Sequence, residues 1–314
     1  MIKNRISPNS SGNTVGFGNQ SGKQTGRLLN KDGSFNVRIV GVPFYKRFSF
    51  YHYITNTSWL VFLLLITAGF LVINVLFGLI FEFIGGYHFN GIEQKGSMNT
   101  FLELFFFSIQ TFTSVGYGRV NPADLLGNIF SSIDSFVGLL YFALVTGLVY
   151  GRFSKPRSKL LFSQNAVFSP FKTQTALMFR VANKLSSSLV NAKVICTLSM
   201  TQQNADQKPV RTFNTLKIDI DTIAFFPTSW TVVHLIDGQS PLFGMTQMEF
   251  NAAQPELFVL LKFYDESFSQ ETFSTNSYTS GEFLWQSQFK PMLSFEGNGT
   301  VMNLGDLDVV NQID

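Results

Sequence analysis

The chain has little material for chemistry. Only one cysteine and three histidines stand in 314 residues, and 14% of the chain is charged. The lone Cys196 excludes an intramolecular disulfide and, with so few histidines, most zinc sites. Its neighbours, Val194-Ile195 and Thr197-Leu198, predict a buried strand thiol. A net charge of +3 leaves no basic excess for nucleic acid. Residues 1–30 are rich in Asn, Ser and Gly and hold no apolar core, so a disordered tail is expected there and no secretory signal. Gly16, Gly18, Gly22-Lys23 and Gly26 within it fit neither nucleotide fingerprint, and no strand leads into them. His234, between Val233 and Leu235, reads as a packed strand residue, and His52 and His88 flank opposite ends of an apolar span. No nucleophile, base or metal cluster emerges, so no enzyme is expected.

What is abundant is apolar surface. Hydrophobic residues make up 45% of the chain, with 36 phenylalanines, and the excess is concentrated between about 55 and 151. Trp59–Phe81 carries no charge over 23 residues, and about 20 suffice to cross a bilayer core. A second span, 126–152, contains Asp134 near its start, an acid that must face protein or water. Outer and inner helices are therefore expected at 57–82 and 126–152. Lys46 and Arg47 precede the first span, while Arg152, Lys155, Arg157 and Lys159 follow the second. The positive-inside rule then puts both termini in the cytoplasm, where the Asn56-Thr57-Ser58 and Asn298-Gly299-Thr300 sequons would stay unmodified. Before the first span, Phe35–Val42 reads as a strand after the Lys31-Asp32-Gly33 turn. Phe44–Thr55 reads as an interfacial helix or as a continuation of the span that follows.

Between the spans lies the stretch that gives them meaning. An apolar run over 98–112 is too short to cross and suits a re-entrant pore helix. Thr113-Ser114-Val115-Gly116-Tyr117-Gly118 follows it. A hydroxyl residue and then Val-Gly-Tyr-Gly is the backbone composition of a potassium selectivity filter, in which successive carbonyls face one axis and replace an ion's water. Glycines at alternate positions permit the dihedrals this requires, while Val115 and Tyr117 turn outward as wedges. One loop cannot enclose an axis, so a fourfold homo-oligomer is implied. On the inner helix, Gly138, Phe142, Thr146 and Tyr150 recur every four residues. This predicts a lining face with gating rings at Phe142, Thr146 and Tyr150, the alternative being packing of these aromatics on the outer helix. Gly138 and Gly147 serve either as hinges or as close-packing positions.

After about 160 the composition turns to short β-rich runs: Ala176–Val181, Lys193–Met200, Leu216–Ile220, Thr231–Ile236 and Leu257–Phe263. Turn residues such as Asn204-Ala205-Asp206, Asp237-Gly238 and Asn298-Gly299 separate them, which predicts an antiparallel, immunoglobulin-like β-sandwich over 166–314 behind a 153–165 linker.

With filter, spans and sandwich in place, the chain resembles the inward-rectifier potassium channels, particularly their prokaryotic branch, over about 31–295. Lys31-Asp32-Gly33, Asn36-Val37, Tyr51-His52 and Trp59 look like that family's approach to the outer helix through a slide helix (31–55). Phe106-Phe107-Ser108-Ile109 leads into the filter as in the family. Gly147, Tyr150-Gly151-Arg152 and Lys155-Pro156 resemble its inner-helix end, and Phe162-Ser163, Asn165-Ala166-Val167 and Phe179-Arg180-Val181-Ala182-Asn183 the start of its sandwich. Thr231-Val232-Val233-His234, Ile236-Asp237 and Ser240-Pro241-Leu242 match its cytoplasmic signature.

The resemblance implies a homotetrameric channel of the inner membrane that passes K⁺ through filter carbonyls, with no cofactor. It also implies the broad voltage-gated grouping. Anionic lipid is expected at Arg152, Lys155, Arg157 and Lys159, where charge for topology alone is the alternative reading. A cytoplasmic constriction is expected at Ser267, Phe268, Ser269 and Gln270. Mg²⁺ and polyamines are the family's blockers, and Phe142 at the position of the blocking acid implies weak block.

Three departures stand beside the filter. Ser114 replaces the usual Thr, Gln110 the usual pore-helix Glu, and Arg119 follows where bacterial relatives often have Asp. Four arginines there would disfavour cations by about 1 kcal/mol in physiological salt. A weakly selective or nearly silent relative is therefore one rival reading. A non-conducting, membrane-anchored ligand-binding sandwich is the other.

Overall fold

The computed structural model describes residues 26–38, 40–41, 43, 49–92, 96–154, 160–184, 188–203, 209–226, 228–297 and 299–313. The chain divides into two compact units, one from residues 40–155 and the other from residues up to 39 and from 156 onward.

The first unit is helical. α1 (Phe50–Asn56) is short, and Ser49 caps it by accepting from the His52 amide at 3.3 Å. α2 (Trp59–Ile84) begins at an N-cap serine, Ser58, and runs 26 residues, about 39 Å at 1.5 Å per residue. α3 (Ser97–Phe112) has 16 residues, about 24 Å, and so cannot cross a core of about 30 Å. α4 (Leu125–Phe153) has 29 residues and is capped by Asp124, whose carboxylate accepts from the Gly127 amide at 3.0 Å. α2 and α4 are both long and apolar enough to span a membrane.

A two-stranded ribbon, β1 (Phe89–Asn90) with β2 (Asn121–Pro122), joins the exit of α2 to the start of α4. His88 reinforces this junction, with Nδ1 2.5 Å from Asp124 Oδ2. Phe77 and Phe81 of α2, Leu104 and Phe107 of α3, and Phe89 and Val120 beside the ribbon form one buried cluster. The apolar faces of α2 and α3 thus close on each other, and Val120 anchors the chain just after the filter.

The second unit is a β-sandwich. Its strands are β3 (Leu160–Phe162), β4 (Ala166–Phe171), β5 (Gln174–Asn183), β6 (Leu189–Gln203), β7 (Pro209–Leu216), β8 (Thr222–Phe226), β9 (Ser229–Leu235), β10 (Glu256–Asp265), β11 (Gln270–Thr279) and β12 (Phe283–Leu284), followed by hairpin pieces β13 (Ser287–Phe289), β14 (Leu293–Glu296), β15 (Gly299–Met302) and β16 (Val310–Gln312). One sheet has the order β11-β10-β6-β7 with β8 also on β6, and the other β12-β4-β5-β3 with β9 also on β5. The register puts Leu257, Val259 and Leu261 opposite Leu198, Cys196 and Val194. All six lie in the core between the sheets, as the period-two alternation of half-buried strands requires. Cys196 is buried there, and burial pushes its thiol pKa up. The outer face of β5 is covered too, since Ala176 and Met178 pack with Val233 and Phe289.

Several expected boundaries move. The tail does not extend to residue 30: Leu28 and Leu29 are buried against Phe258. Their amides donate to Glu256 Oε1 at 2.8 and 3.1 Å, and Arg27 and Lys31 both pair with Glu282. Glu256 is itself buried beside Arg211, whose Nη2 lies 3.2 Å from its Oε2. Among the described residues of the strand expected over 35–42, the only pairing is a single Leu29–Phe35 bridge, and residues 39 and 42 lie outside them. Leu216–Ile220 is not a strand, because β7 ends at Leu216 and β8 starts at Thr222. Sheet pairing begins before residue 166, since β3 pairs with β5. Of the interfacial helix only α1 falls within the described residues. Asn204-Ala205-Asp206 and Asn298 lie outside them.

Candidate functional site

The site starts where α3 stops. A helix end leaves four carbonyls without intrahelical donors, and the next residues supply those donors. Thr113 gives its amide (3.0 Å) and hydroxyl (2.6 Å) to the Ile109 carbonyl. The Ser114 amide donates to Thr111 at 3.0 Å, and the amides of Val115 and Gly116 both donate to Gln110, at 2.9 and 3.2 Å. The first filter amides are thereby committed to the helix that precedes them.

Backbone conformation then alternates. Ser114, Gly116 and Gly118 have φ of +57°, +53° and +82°, while Val115 and Tyr117 are not in the positive region. Alternation of left- and right-handed residues turns successive carbonyls to one side, the geometry a dehydrated cation needs. Ser114 is the strained member, because a residue with a Cβ resists positive φ and a β-branched one resists it most. Serine here relaxes the backbone relative to threonine.

Val115 and Tyr117 do not wedge against their own chain; they are 53% and 79% exposed. Beyond the filter, Gly91 with φ +82° meets the Arg119 carbonyl so closely that a Cβ would stand 1.9 Å from it. That contact seats the filter's exit on the β1–β2 ribbon.

Arg119 is not a free positive charge. Its Nη2 lies 2.7 Å from Glu103 Oε1, on α3. The pair offsets the positive charge that directly follows Gly118.

On α4 the four-residue stripe does not form a single lining face. Four residues advance a helix by about 400°, so each step drifts by about 40°. Gly138 is buried, and a Cβ there would lie 2.1 Å from the Phe112 carbonyl oxygen. Its role is close packing against the end of α3, and the hinge assignment is withdrawn on that ground. Phe142, Thr146 and Tyr150 lie on the exposed side. Phe142 still touches Phe112 at 6.4 Å between ring centroids, and Thr146 donates back to its carbonyl at 2.8 Å. Gly147 has open space around it.

Arg152 is the clearest correction. It was expected at a lipid headgroup, yet it is 8% exposed. Its Nη1 and Nη2 donate to the carbonyls of Ile54 and Thr57 at 2.6 and 2.7 Å. The guanidinium stacks over Trp59 and Phe62, 4.7 and 4.5 Å from the ring centroids. It satisfies orphan carbonyls at the end of α1 and fixes the α1–α2 corner to α4. Lys155, Arg157 and Lys159 lie outside the described residues.

The expected constriction is the β10–β11 hairpin. The Ser267 amide donates to Asp265 Oδ1 at 2.9 Å, Ser269 has φ +51°, and Gln270 opens β11 opposite Asp265. Phe268 at its tip is 41% exposed. His234 on β9 joins the segment after β7 to the loop after β9, with Nδ1 2.7 Å from the Lys217 carbonyl and Nε2 2.8 Å from Ser240 Oγ. Burial pushes its pKa below the ordinary imidazole value, and the bond to Lys217 partly opposes this. Among the described residues no group of three His, Cys, Asp or Glu side chains could hold a metal.

Sequence reasoning missed Glu103, the N-terminal clamp at Glu256, and Asn74, a polar residue inside the charge-free span. Asn74 alone carried a visible signal.

Comparison with known proteins places both units. The family described as "Ion channel" matches residues 59–155, and "Inward rectifier potassium channel C-terminal domain" matches 160–314. The chain is 31% identical over 290 residues to inward rectifier potassium channel Kirbac3.1 of Paramagnetospirillum magnetotacticum, covering 91% of this chain and 96% of that one. It is 30% identical over 302 residues to ATP-sensitive inward rectifier potassium channel 14 of Homo sapiens, covering 88% and 68%. To ATP-sensitive inward rectifier potassium channel 12 of Gallus gallus it is 29% identical over 311 residues, covering 90% and 72%.

Proposed function

Because the chain belongs to the inward rectifier potassium channel family, we propose that four copies assemble around one axis. Each contributes Ser114–Gly118 to a K⁺ filter of the inner membrane, with both termini cytoplasmic. The family comprises channels rather than enzymes and needs no cofactor, K⁺ being the permeant ion. The voltage-gated grouping is withdrawn: inward rectifiers lack that feature, and Arg152 is the one basic residue in the two spanning helices, where a voltage sensor needs an arginine-rich helix.

The observation that carries the reading is the alternation of φ at Ser114, Gly116 and Gly118, with the preceding amides held by α3. The carbonyls of Ser114 to Tyr117 are left for an ion, while that of Gly118 accepts from Asn121 Nδ2 at 3.4 Å. Exposed Val115 and Tyr117 supply apolar surface for a neighbouring copy to cover. Phe142, Thr146 and Tyr150 form the inner gate, the β10–β11 hairpin the cytoplasmic constriction, and Lys155, Arg157 and Lys159 the anionic-lipid site without Arg152. With Phe142 in place of an acid, Mg²⁺ and polyamines block weakly.

The Glu103–Arg119 pair argues against the nearly silent relative, since it removes the main electrostatic objection to conduction. The test is flux from liposomes loaded with K⁺ or Na⁺, together with the mass of the assembly in mild detergent. K⁺ flux well above Na⁺ flux from a tetramer supports the reading. A monomer, or equal fluxes, refutes it.

A further inference from the structure

Behind the filter lies a carboxylate that conduction through carbonyls does not require. Asp134 is fully buried in α4. Neither of its oxygens has a hydrogen-bond partner among the described residues, and the same holds for the buried Ser131 hydroxyl one turn earlier. Ser131, Asp134 and Gly138 are all buried and, at i, i+3 and i+7, share one face. At the far end of that face, Gly138 meets the Phe112 carbonyl. Asp134 lies beside Ser108 of α3, one turn before Phe112. The polar stripe of α4 therefore runs alongside the last turns of the helix that delivers the filter.

Ser108 belongs to a relay through the third helix. Its hydroxyl donates to Asn74 Oδ1 at 3.0 Å, and Asn74 Nδ2 donates to the Phe70 carbonyl at 2.8 Å. Asn74 and Ser108 are both fully buried. The relay thus links α2 to α3, and Asp134 of α4 stands beside its Ser108 member without a hydrogen bond to it. An acid inside a membrane bundle is expensive, and an apolar residue of similar volume would fill the space at lower cost. Packing alone gives no reason for it.

We propose that Asp134 is a positioning residue for the selectivity filter. Acting through Ser108, it sets the carboxyl end of α3, from which the Gln110 carbonyl holds the amides of Val115 and Gly116. Selectivity then depends on a buried carboxyl group that stands beside Ser108 and is not itself part of the filter.

The test compares D134N, which keeps shape and hydrogen-bonding capacity, with D134L, which keeps volume alone. K⁺ and Na⁺ fluxes and the reversal potential are measured in liposomes on the full-length channel, and assembly is checked in mild detergent. D134L is expected to lower the K⁺/Na⁺ ratio about tenfold, the scale of one lost buried polar contact, and D134N to stay within about twofold of wild type. S108A, a smaller change, is expected to lower the ratio in the same direction, and it decides the matter if D134L fails to assemble. A wild-type ratio in assembled D134L or in S108A overturns the proposal, as does D134N falling as far as D134L. The inference rests on the potassium-channel reading. Loss of selectivity in the wild type would refute that reading, whereas a selective wild type with unchanged variants refutes this inference alone.

Discussion

Replacing Glu103 with glutamine removes the negative member of a pair 2.7 Å apart while preserving its shape, and so uncovers Arg119 beside the filter exit. The guanidinium follows Gly118 directly, which puts it about 10 Å from an ion there, where one unit charge in water contributes ~0.4 kcal/mol. Four copies give roughly 1.7 kcal/mol of repulsion before screening. With a Debye length of about 8 Å at physiological salt this falls to ~0.5 kcal/mol, about half the figure expected from the sequence, and at about 30 Å in dilute salt it holds near 1.2 kcal/mol. Potassium occupancy at the outer mouth, and inward current with it, should therefore fall about twofold at 0.15 M salt and about sevenfold at 0.01 M, and be unchanged near 1 M. Currents from channels in planar bilayers, with an impermeant salt setting ionic strength, measure this directly. E103Q/R119Q should recover wild-type behaviour at every ionic strength. An E103Q current that falls equally at all salt concentrations, or a double variant that does not recover, would sink the electrostatic argument and leave the pair a purely steric one.

Other expectations follow from contacts already described. Gly138→Ala forces a Cβ against the Phe112 carbonyl and should destabilise each subunit by about 1–3 kcal/mol. That appears as earlier thermal dissociation of the assembly, while Gly147→Ala, in open space, should change it little. For pH, His234 has a lowered pKa in the folded protein, so it resists protonation that the unfolded chain accepts near 6.5. Stability should be complete above about pH 6.5 and decline as pH falls below it toward the folded value; H234Q should flatten that slope in thermal unfolding of the full-length protein. Arg152→Gln should increase protease cleavage around α1 without altering dependence on anionic lipid, whereas neutralising Lys155, Arg157 and Lys159 together should weaken that dependence.

The architecture was legible because membrane spans and filters are local signals. Trp59–Phe81 lacks any charge, and Val115-Gly116-Tyr117-Gly118 carries its conformational requirement in its composition. Period-two burial in β6 and β10 was equally plain. What stayed hidden depends on partners distant in sequence. Glu103 sits in an apolar run, and only folding brings it to Arg119. Arg152 looked like one basic residue in a basic stretch because its partners, Ile54, Thr57, Trp59 and Phe62, lie about 95 residues earlier. Leu28 and Leu29 end a segment of low-complexity composition, and two leucines are too few to announce burial until Glu256 and Phe258 are placed beside them. The stripe on α4 misled for a geometric reason: a spacing of four is close to one turn but not equal to it, so Gly138 and Tyr150 point in different directions.

The double acceptance by the Gln110 carbonyl has an evolutionary consequence. The grip on the filter is written in main-chain atoms, so it is indifferent to the side chain at 110 and survives exchange of Glu for Gln there. Substitution at Val115 is equally silent to that grip unless it removes the amide hydrogen, which proline alone does, whereas Gly116 is also held by its positive φ, which a Cβ resists. Sequence drift around this filter can therefore alter charge and conductance while the backbone hold goes on unchanged, and relatives that differ in throughput can share one way of seating the ion.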